Sequence, residues 1–191
     1  MMLSINKHNV SFGNENLPQN FTVRFEEYDY LAYPQVRVTV DGKPMGDTID
    51  DNSFNNDGYR YHDIFHLTFA ALLGWSPCTR SMMKRKRKSD IEIDRIEDGA
   101  RATITEECIS LMLFSRAKHK NFFEDINDID SDLLLTIKEM TEPFEVSIKS
   151  PEDWRNAIFE AYKMFSLLIE NKGGSIFFDT TNKIVKFEKL N

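Results

Sequence analysis

Two of the chain's four histidines stand four residues apart with an aspartate between them, in His62-Asp63-x-x-His66. That spacing puts both imidazoles on one face of a helix, with Tyr59, Phe69 and Leu73 on the same face. The segment that carries them, 59–75, is apolar almost all round, as a buried helix is. A polar group left unsatisfied in such an element costs about 1–3 kcal/mol, so His-Asp…His here predicts a site. The competing reading is a pair of core histidines hydrogen-bonded to carboxylates or backbone.

A second polar set follows: Asp94, Glu97, Asp98, Arg101, Glu106 and Glu107. The spacing predicts one long helix over 91–118, roughly 40 Å if unbroken. Gly99 would lie inside it, at a cost of up to about 1 kcal/mol against alanine. In helical projection Ile93, Ile96, Ala100, Ile104, Leu111 and Phe114 form an apolar stripe. Glu107 falls inside the stripe and Glu97 at its edge, with Arg101 one turn on. Asp98 and Glu106 fall outside it, where a solvated face is the simpler reading. A carboxylate in an apolar stripe must be paired, metal-bound or protonated. If the two helices face each other, their imidazoles and carboxylates form an oxygen and nitrogen ligand set. Carboxylates favour Mg2+ or Mn2+, and imidazoles pull toward Zn2+. H-D-x-x-H also imitates the zinc-protease spacing H-E-x-x-H, although its acid is one carbon shorter and no third ligand is marked. An HD phosphohydrolase pattern would need a further upstream histidine, and only His8 is there.

The third feature is Lys84-Arg85-Lys86-Arg87-Lys88, preceded by Arg80. Beside a carboxylate cluster such a run suits a polyphosphate, with acids holding metal and basic groups holding phosphate oxygens. A solvated helix end or a nucleic-acid contact would look the same. Neither Cys78, in a loop after Ser-Pro, nor Cys108, in the long helix, has a marked histidine partner for nucleophilic chemistry.

The elements that must position these groups read as α+β. Segments 21–31 and 34–42 alternate apolar and polar residues, the period of a half-buried ribbon. Turn chemistry over 41–47 and a polar loop over 50–58 lead to the first helix. A loop over 121–130 precedes a short helix that ends near Met140. Ser150-Pro151-Glu152-Asp153 is a helix start, with serine as N-cap, proline at N1 and acids in the first turn. That helix should stop at Lys172-Gly173-Gly174 with glycine as its left-handed cap. The segments 175–179 and 183–189 read as a terminal hairpin. The expectation is about four core helices, with antiparallel strands from both ends of the chain sharing one sheet. Residues 1–20 read as a loose or strand-bearing lead-in, and 21–191 as one domain.

Composition narrows the function. With 41% hydrophobic and 29% charged residues, the 191-residue chain can bury a core. It has no apolar run of about 20 residues for a membrane span. No secretory h-region is visible at the start, and two cysteines without a CxxC suit a reducing compartment, so the cytoplasm is the expected location. A net charge of −7 argues against a general nucleic-acid coat.

The stretches DGYRYHDIFHLTFAALLGWSP (57–77) and KRKRKSDIEIDRIEDGARATITEE (84–107) resemble the domain found C-terminal to the nucleotide pyrophosphohydrolase domain in MazG-like proteins. SPEDWRNAIFEAYKMFSLLIENKGG resembles that domain's closing helix. The neighbouring MazG domain splits nucleoside triphosphates to monophosphate and pyrophosphate, with magnesium held by E-E-x-x-E and E-x-x-D. This chain departs from that pattern, because Glu106-Glu107 is followed by Cys108, Ile109 and Ser110. Either His62-Asp63-x-x-His66 takes the place of E-E-x-x-E, or there is no such site. The resemblance implies a metal-dependent nucleotide pyrophosphohydrolase. Its metal would be held by His62, Asp63, His66, Glu107 and Asp98. Glu97 or Glu106 would be the base, Arg101 would steady developing charge, and Arg85, Lys86 and Lys88 would hold phosphate. The expected ion is Mg2+ or Mn2+ before Zn2+, and the expected partner a nucleotide. A homo-oligomer is left open, a membrane is not expected, and nucleic acid through Lys84 to Lys88 is not favoured. The competing functions are a non-catalytic nucleotide- or partner-binding module and a zinc hydrolase built on His62-Asp63-x-x-His66.

Overall fold

The two alternating segments form an antiparallel ribbon, β1 (Asn20–Tyr30) and β2 (Tyr33–Val40), with Phe25 opposite Val38 and Glu27 opposite Val36. The computed structural model describes residues 14–30, 33–120, 122 and 128–190. A two-residue strand, β3 (Lys43–Pro44), folds back on β2 after the Asp41-Gly42 turn. The far end of the chain supplies β4 (Gly173–Asp179) and β5 (Ile184–Glu188), and β4 pairs with β1. The sheet order is therefore β3-β2-β1-β4-β5, and both ends of the chain share one antiparallel sheet, as expected. Phe21, Val23, Phe25, Val36, Val38, Ile176 and Phe178 are buried, one side of each pleat, while Thr22, Arg24 and Arg37 face outward.

Six helices fill the described chain between the strands: α1 (Asp63–Leu73), α2 (Pro77–Met82), α3 (Ile91–Ile96), α4 (Ala100–Lys118), α5 (Ser131–Thr141) and α6 (Pro151–Asn171). None is long and apolar enough to cross a membrane. Helices α1 and α6 lie together and both reach the sheet. Their contact is aromatic: Phe65 stands 5.0 Å from Tyr162 and 5.9 Å from Phe165, and Phe69 stands 5.4 Å from Trp154. Burying each such ring contributes about 1.5–3 kcal/mol. Helix α6 starts as its sequence dictates, with Ser150 and Asp153 exchanging the two bonds of a capping box.

Four expectations need correction. The helix over 59–75 is a 3-10 turn (Tyr59–Tyr61) followed by α1, so His62 is the N-cap and Asp63 the first helical residue. Cys78 is in α2, not in a loop, since Ser76 caps that helix by accepting from the Thr79 N–H. The helix over 91–118 is broken at Asp98-Gly99, and Gly99 is the N-cap of α4, where an added Cβ would lie 2.1 Å from the Arg95 carbonyl oxygen. Lys172, not glycine, takes the left-handed cap of α6 at φ 52°, while Gly173 opens β4 at φ 120°, where a Cβ would lie 2.5 Å from the Phe25 carbonyl oxygen. Most of the expected lead-in, 1–13, and most of the 121–130 loop lie outside the described residues. Asn14 and Glu15 are described, and they hold Arg80, Arg85 and Ser89 through hydrogen bonds.

One buried ion network ties sheet, loop and helix together. Asp51 accepts from the backbone N–H groups of Asp57, Gly58 and Arg60 and pairs with the Arg60 guanidinium at 2.8 Å. Arg60 also pairs with Glu27 of β1 at 2.9 Å, and the Tyr61 hydroxyl donates to the same carboxylate. Burial raises the Asp51 carboxyl, but these donors and the guanidinium outweigh it and leave it lowered. Its folded pKa is below its unfolded value, so its stabilisation is present above pH ~4 and is lost as pH falls through the folded value. Asp51→Ala removes one of the two carboxylates on the buried Arg60 guanidinium and leaves three backbone N–H groups without their acceptor, and should cost on the order of 3 kcal/mol in urea unfolding at neutral pH. The difference from wild type should shrink below pH 4.

Candidate functional site

The 3-10 turn, α1, α2 and α4 bring two histidines and three acids to one place. His62 stacks on the Tyr59 ring, centroids 4.3 Å apart and 3° from parallel. Its Nδ1 lies 3.0 Å from the Tyr59 carbonyl oxygen. A carbonyl only accepts, so Nδ1 carries the proton, and Nε2, 3.5 Å from Asp63 Oδ1, carries the lone pair. His66 is likewise held through Nδ1. Its Nδ1 donates to Glu106 Oε1 at 2.9 Å, which leaves Nε2 to face the cluster. The two rings are 5.7 Å apart and nearly perpendicular. His66 is 1% exposed, and its Nε2 makes no hydrogen bond, with Glu107 Oε2 standing 3.5 Å away.

Glu106 is the anchor. Its side chain is 0% exposed. Besides His66 it accepts from the Ser76 hydroxyl at 2.6 Å and from the Cys78 N–H at 2.8 Å, so α4 holds both α1 and the start of α2. Glu107 points the other way along the rim, with a side chain 46% exposed. The expected apolar stripe is thus corrected: Ile104 and Leu111 are exposed, and Ala102, Glu106, Ile109, Leu113 and Ala117 face the core. The stripe followed apolar residues that lie on the solvent face of α4, so it put the wrong glutamate inside.

Electrostatics follow from burial and neighbours. Burial pushes the His62 imidazole down, toward the neutral ligand form, and pushes the Asp63 carboxyl up. Burial also works against the charged His66, but the Glu106 carboxylate and its hydrogen bond overcome that and raise it well above the usual histidine range. The His66 ring, whose Nε2 stands 3.5 Å from Glu107 Oε2, holds the Glu107 carboxyl at about 2, against the opposing effect of burial. Two groups offer ligand atoms all within 4.8 Å of one another: His62, Asp63 and His66, and His66, Cys78 and Glu107. The orphaned Nε2 and this donor set fit a divalent cation. A carboxylate holding the far nitrogen of a ligating histidine is the usual support for such an ion.

The remaining candidates gather elsewhere. Asp98, expected on a solvated face or at the metal, is 0% exposed and pairs with Arg87 at 2.8 Å while accepting the Arg87 backbone N–H. Lys86 donates to the Asp98 carbonyl oxygen, Arg85 to the Asn14 carbonyl oxygen, and Lys88 lies 3.7 Å from Asp94. The basic run is therefore partly folded onto the break between α3 and α4. Glu97 accepts the Glu145 N–H with both oxygens, and burial raises its carboxyl. Arg101 is exposed. Ser76 and Cys78 were missed, although Ser76-Pro77-Cys78-Thr79 has the same serine-proline helix start as Ser150-Pro151.

A family model, the MazG C-terminal domain, matches residues 6–191. Comparison with curated proteins and with solved structures finds no match.

Glu106→Gln replaces an acceptor of three bonds by one oxygen and one NH2 group. Whichever way the amide turns, a buried donor meets a donor or His66 must change tautomer. Urea unfolding should show a loss on the order of 3 kcal/mol with an unchanged m-value. Glu107→Gln, at the solvent rim, should cost less than about 1 kcal/mol. The reverse order would return Glu107 to the core.

Proposed function

We propose that this chain, which belongs to the MazG C-terminal domain family, is a metal-dependent hydrolase domain acting on nucleoside triphosphates, with release of monophosphate and pyrophosphate. The observation that carries this reading is the buried, unbonded His66 Nε2 facing His62, Asp63 and Glu107, with both imidazoles fixed through Nδ1. These four residues would hold the ion, which when bound would polarise a phosphoryl oxygen and lower the pKa of a water. Two imidazoles in the set weight the choice toward manganese or zinc rather than magnesium.

The chain's own groups divide the remaining work. Glu106, sealed from solvent with its acceptors taken, orients His66 and is not placed to exchange protons with substrate. Glu97 is spent on the Glu145 N–H. Asp63, whose carboxyl burial raises, is one of the residues that would hold the ion, so no acid at the cluster is left over as a general base. Exposed Lys88 and Arg101 remain the groups for phosphate oxygens, and Lys86 must first leave the Asp98 carbonyl. That engagement of the basic run favours the second reading, a module that binds metal and a nucleotide or partner protein without catalysis.

The test is a panel of nucleoside triphosphates with Mn2+, Zn2+ or Mg2+, scored for pyrophosphate against phosphate. The wild type should release pyrophosphate, and Glu107→Gln should lose orders of magnitude of rate while keeping its metal-free melting temperature. Metal at about 100 times its Kd should add ~2.7 kcal/mol, which is roughly 5–10 °C for a chain of this size. A metal-dependent shift without turnover of any nucleotide would leave the binding module. No shift and no turnover would remove the metal centre.

A further inference from the structure

We infer that Cys78 is a ligand of this centre, and that its sulfur makes the site selective for a thiophilic divalent ion, zinc before magnesium. The inference rests on the metal centre proposed above and deepens it. Three observations place the thiol. Its backbone N–H is pinned to Glu106 Oε2 at 2.8 Å, the carboxylate that also holds His66. Its Sγ lies 3.5 Å from Glu107 Oε1, and Sγ, a His66 nitrogen and a Glu107 oxygen all lie within 4.8 Å of one another. The His66 nitrogen facing that group has no hydrogen-bond partner and is buried.

The position is built rather than incidental. Ser76 and Pro77 start α2 so that Cys78 enters its first turn, and the Ser76 hydroxyl donates to the same Glu106. Without an ion, burial holds the Cys78 proton on sulfur, where the thiol can donate to the Glu107 carboxylate or the Thr103 carbonyl oxygen. On coordination the S–H bond and the His66 Nε2–H bond break, sulfur and nitrogen each bind the metal through the electron pair so freed, and both protons leave to buffer. No electron is transferred. Magnesium demands oxygen ligands in near-octahedral geometry, whereas thiolate with imidazole is the donor set of zinc. His66, Cys78 and Glu107 supply nitrogen, sulfur and oxygen from three helices, and His66 is shared with the neighbouring group of His62 and Asp63.

Cobalt(II) reports ligand type by absorption, separately from activity. Titrated into the full chain, it should give visible d–d bands of low-symmetry coordination and a near-ultraviolet sulfur-to-cobalt charge-transfer band. Cys78→Ser should keep the d–d bands, weakened, and lose the charge-transfer band. Zinc should displace cobalt stoichiometrically, and a hundredfold excess of magnesium should not. Cys108→Ser, on the exposed side of α4, should behave as wild type. If wild type and Cys78→Ser bind cobalt with the same spectrum and no charge-transfer band, Cys78 is not a ligand while the metal centre stands. If cobalt gives no bound spectrum with wild type, both ideas fall. Should Cys78→Ser lose its near-ultraviolet circular dichroism, Cys78→Ala is measured instead. There too, retained charge-transfer absorption would overturn the inference.

Discussion

The interior around Glu106 depends on one carboxylate kept out of water. Moving such a group into an apolar interior costs several kcal/mol unless its oxygens are fully engaged. Here three donors come from two elements: the His66 ring on α1, and the Ser76 hydroxyl and Cys78 N–H at the start of α2. Satisfying the charge therefore fixes where α1, α2 and α4 meet. It also fixes the orientation of the His66 ring. By occupying Nδ1, Glu106 decides that the other nitrogen of His66 faces the rim, so the interaction that closes the core also opens the site.

Much of the frame was legible because its causes are local. The period-two alternation of Val36 and Val38 gave a strand. Ser150-Pro151 with Asp153 gave a helix start, and the terminal segments gave a hairpin. That both ends share one sheet was expected from element order, and β1 pairing with β4 shows it. The His62 and His66 pairing was legible as well, since spacing of four survives even though His62 is the cap rather than an interior residue.

What failed among the acids lies within 91–118. Extending a single helix from 91 to 118 assumed that Gly99 was a costly interior residue. Its backbone has φ −83° and ψ 178°, an extended cap, and the close approach of the Arg95 carbonyl explains why a side chain is excluded there. Within α4 the stripe was drawn through Ile104 and Leu111, which are exposed, whereas Ala102, Glu106, Ile109 and Leu113 face the core and Glu107 turns out. Asp98 was misread because of the break. In the break its carboxylate can receive the Arg87 N–H and guanidinium together, which no helix-face projection could show. The basic run was read as a surface, yet part of it is the partner of that buried acid.

The molecule's buried acids differ in how their charge is met, and the difference points to the site. Asp51 is matched by Arg60, and Asp98 by Arg87. Asp63, Glu106 and Glu107 have no arginine or lysine ion pair among the described residues, only His62 and His66. Burial depresses one imidazole, so a single raised histidine stands against three acids. A purely structural cluster would be served better by guanidinium, which stays charged and fills its acceptors, as the other two nodes do. Imidazoles give up that permanence, but they can exchange a proton for a cation on the same lone pair. Buried Asp179 shows the other structural solution, an acid met by two backbone N–H groups and the Asn182 amide. The pairing of acids with histidine, rather than with guanidinium or with hairpin amides, is the physical reason to read this cluster as a centre for a metal.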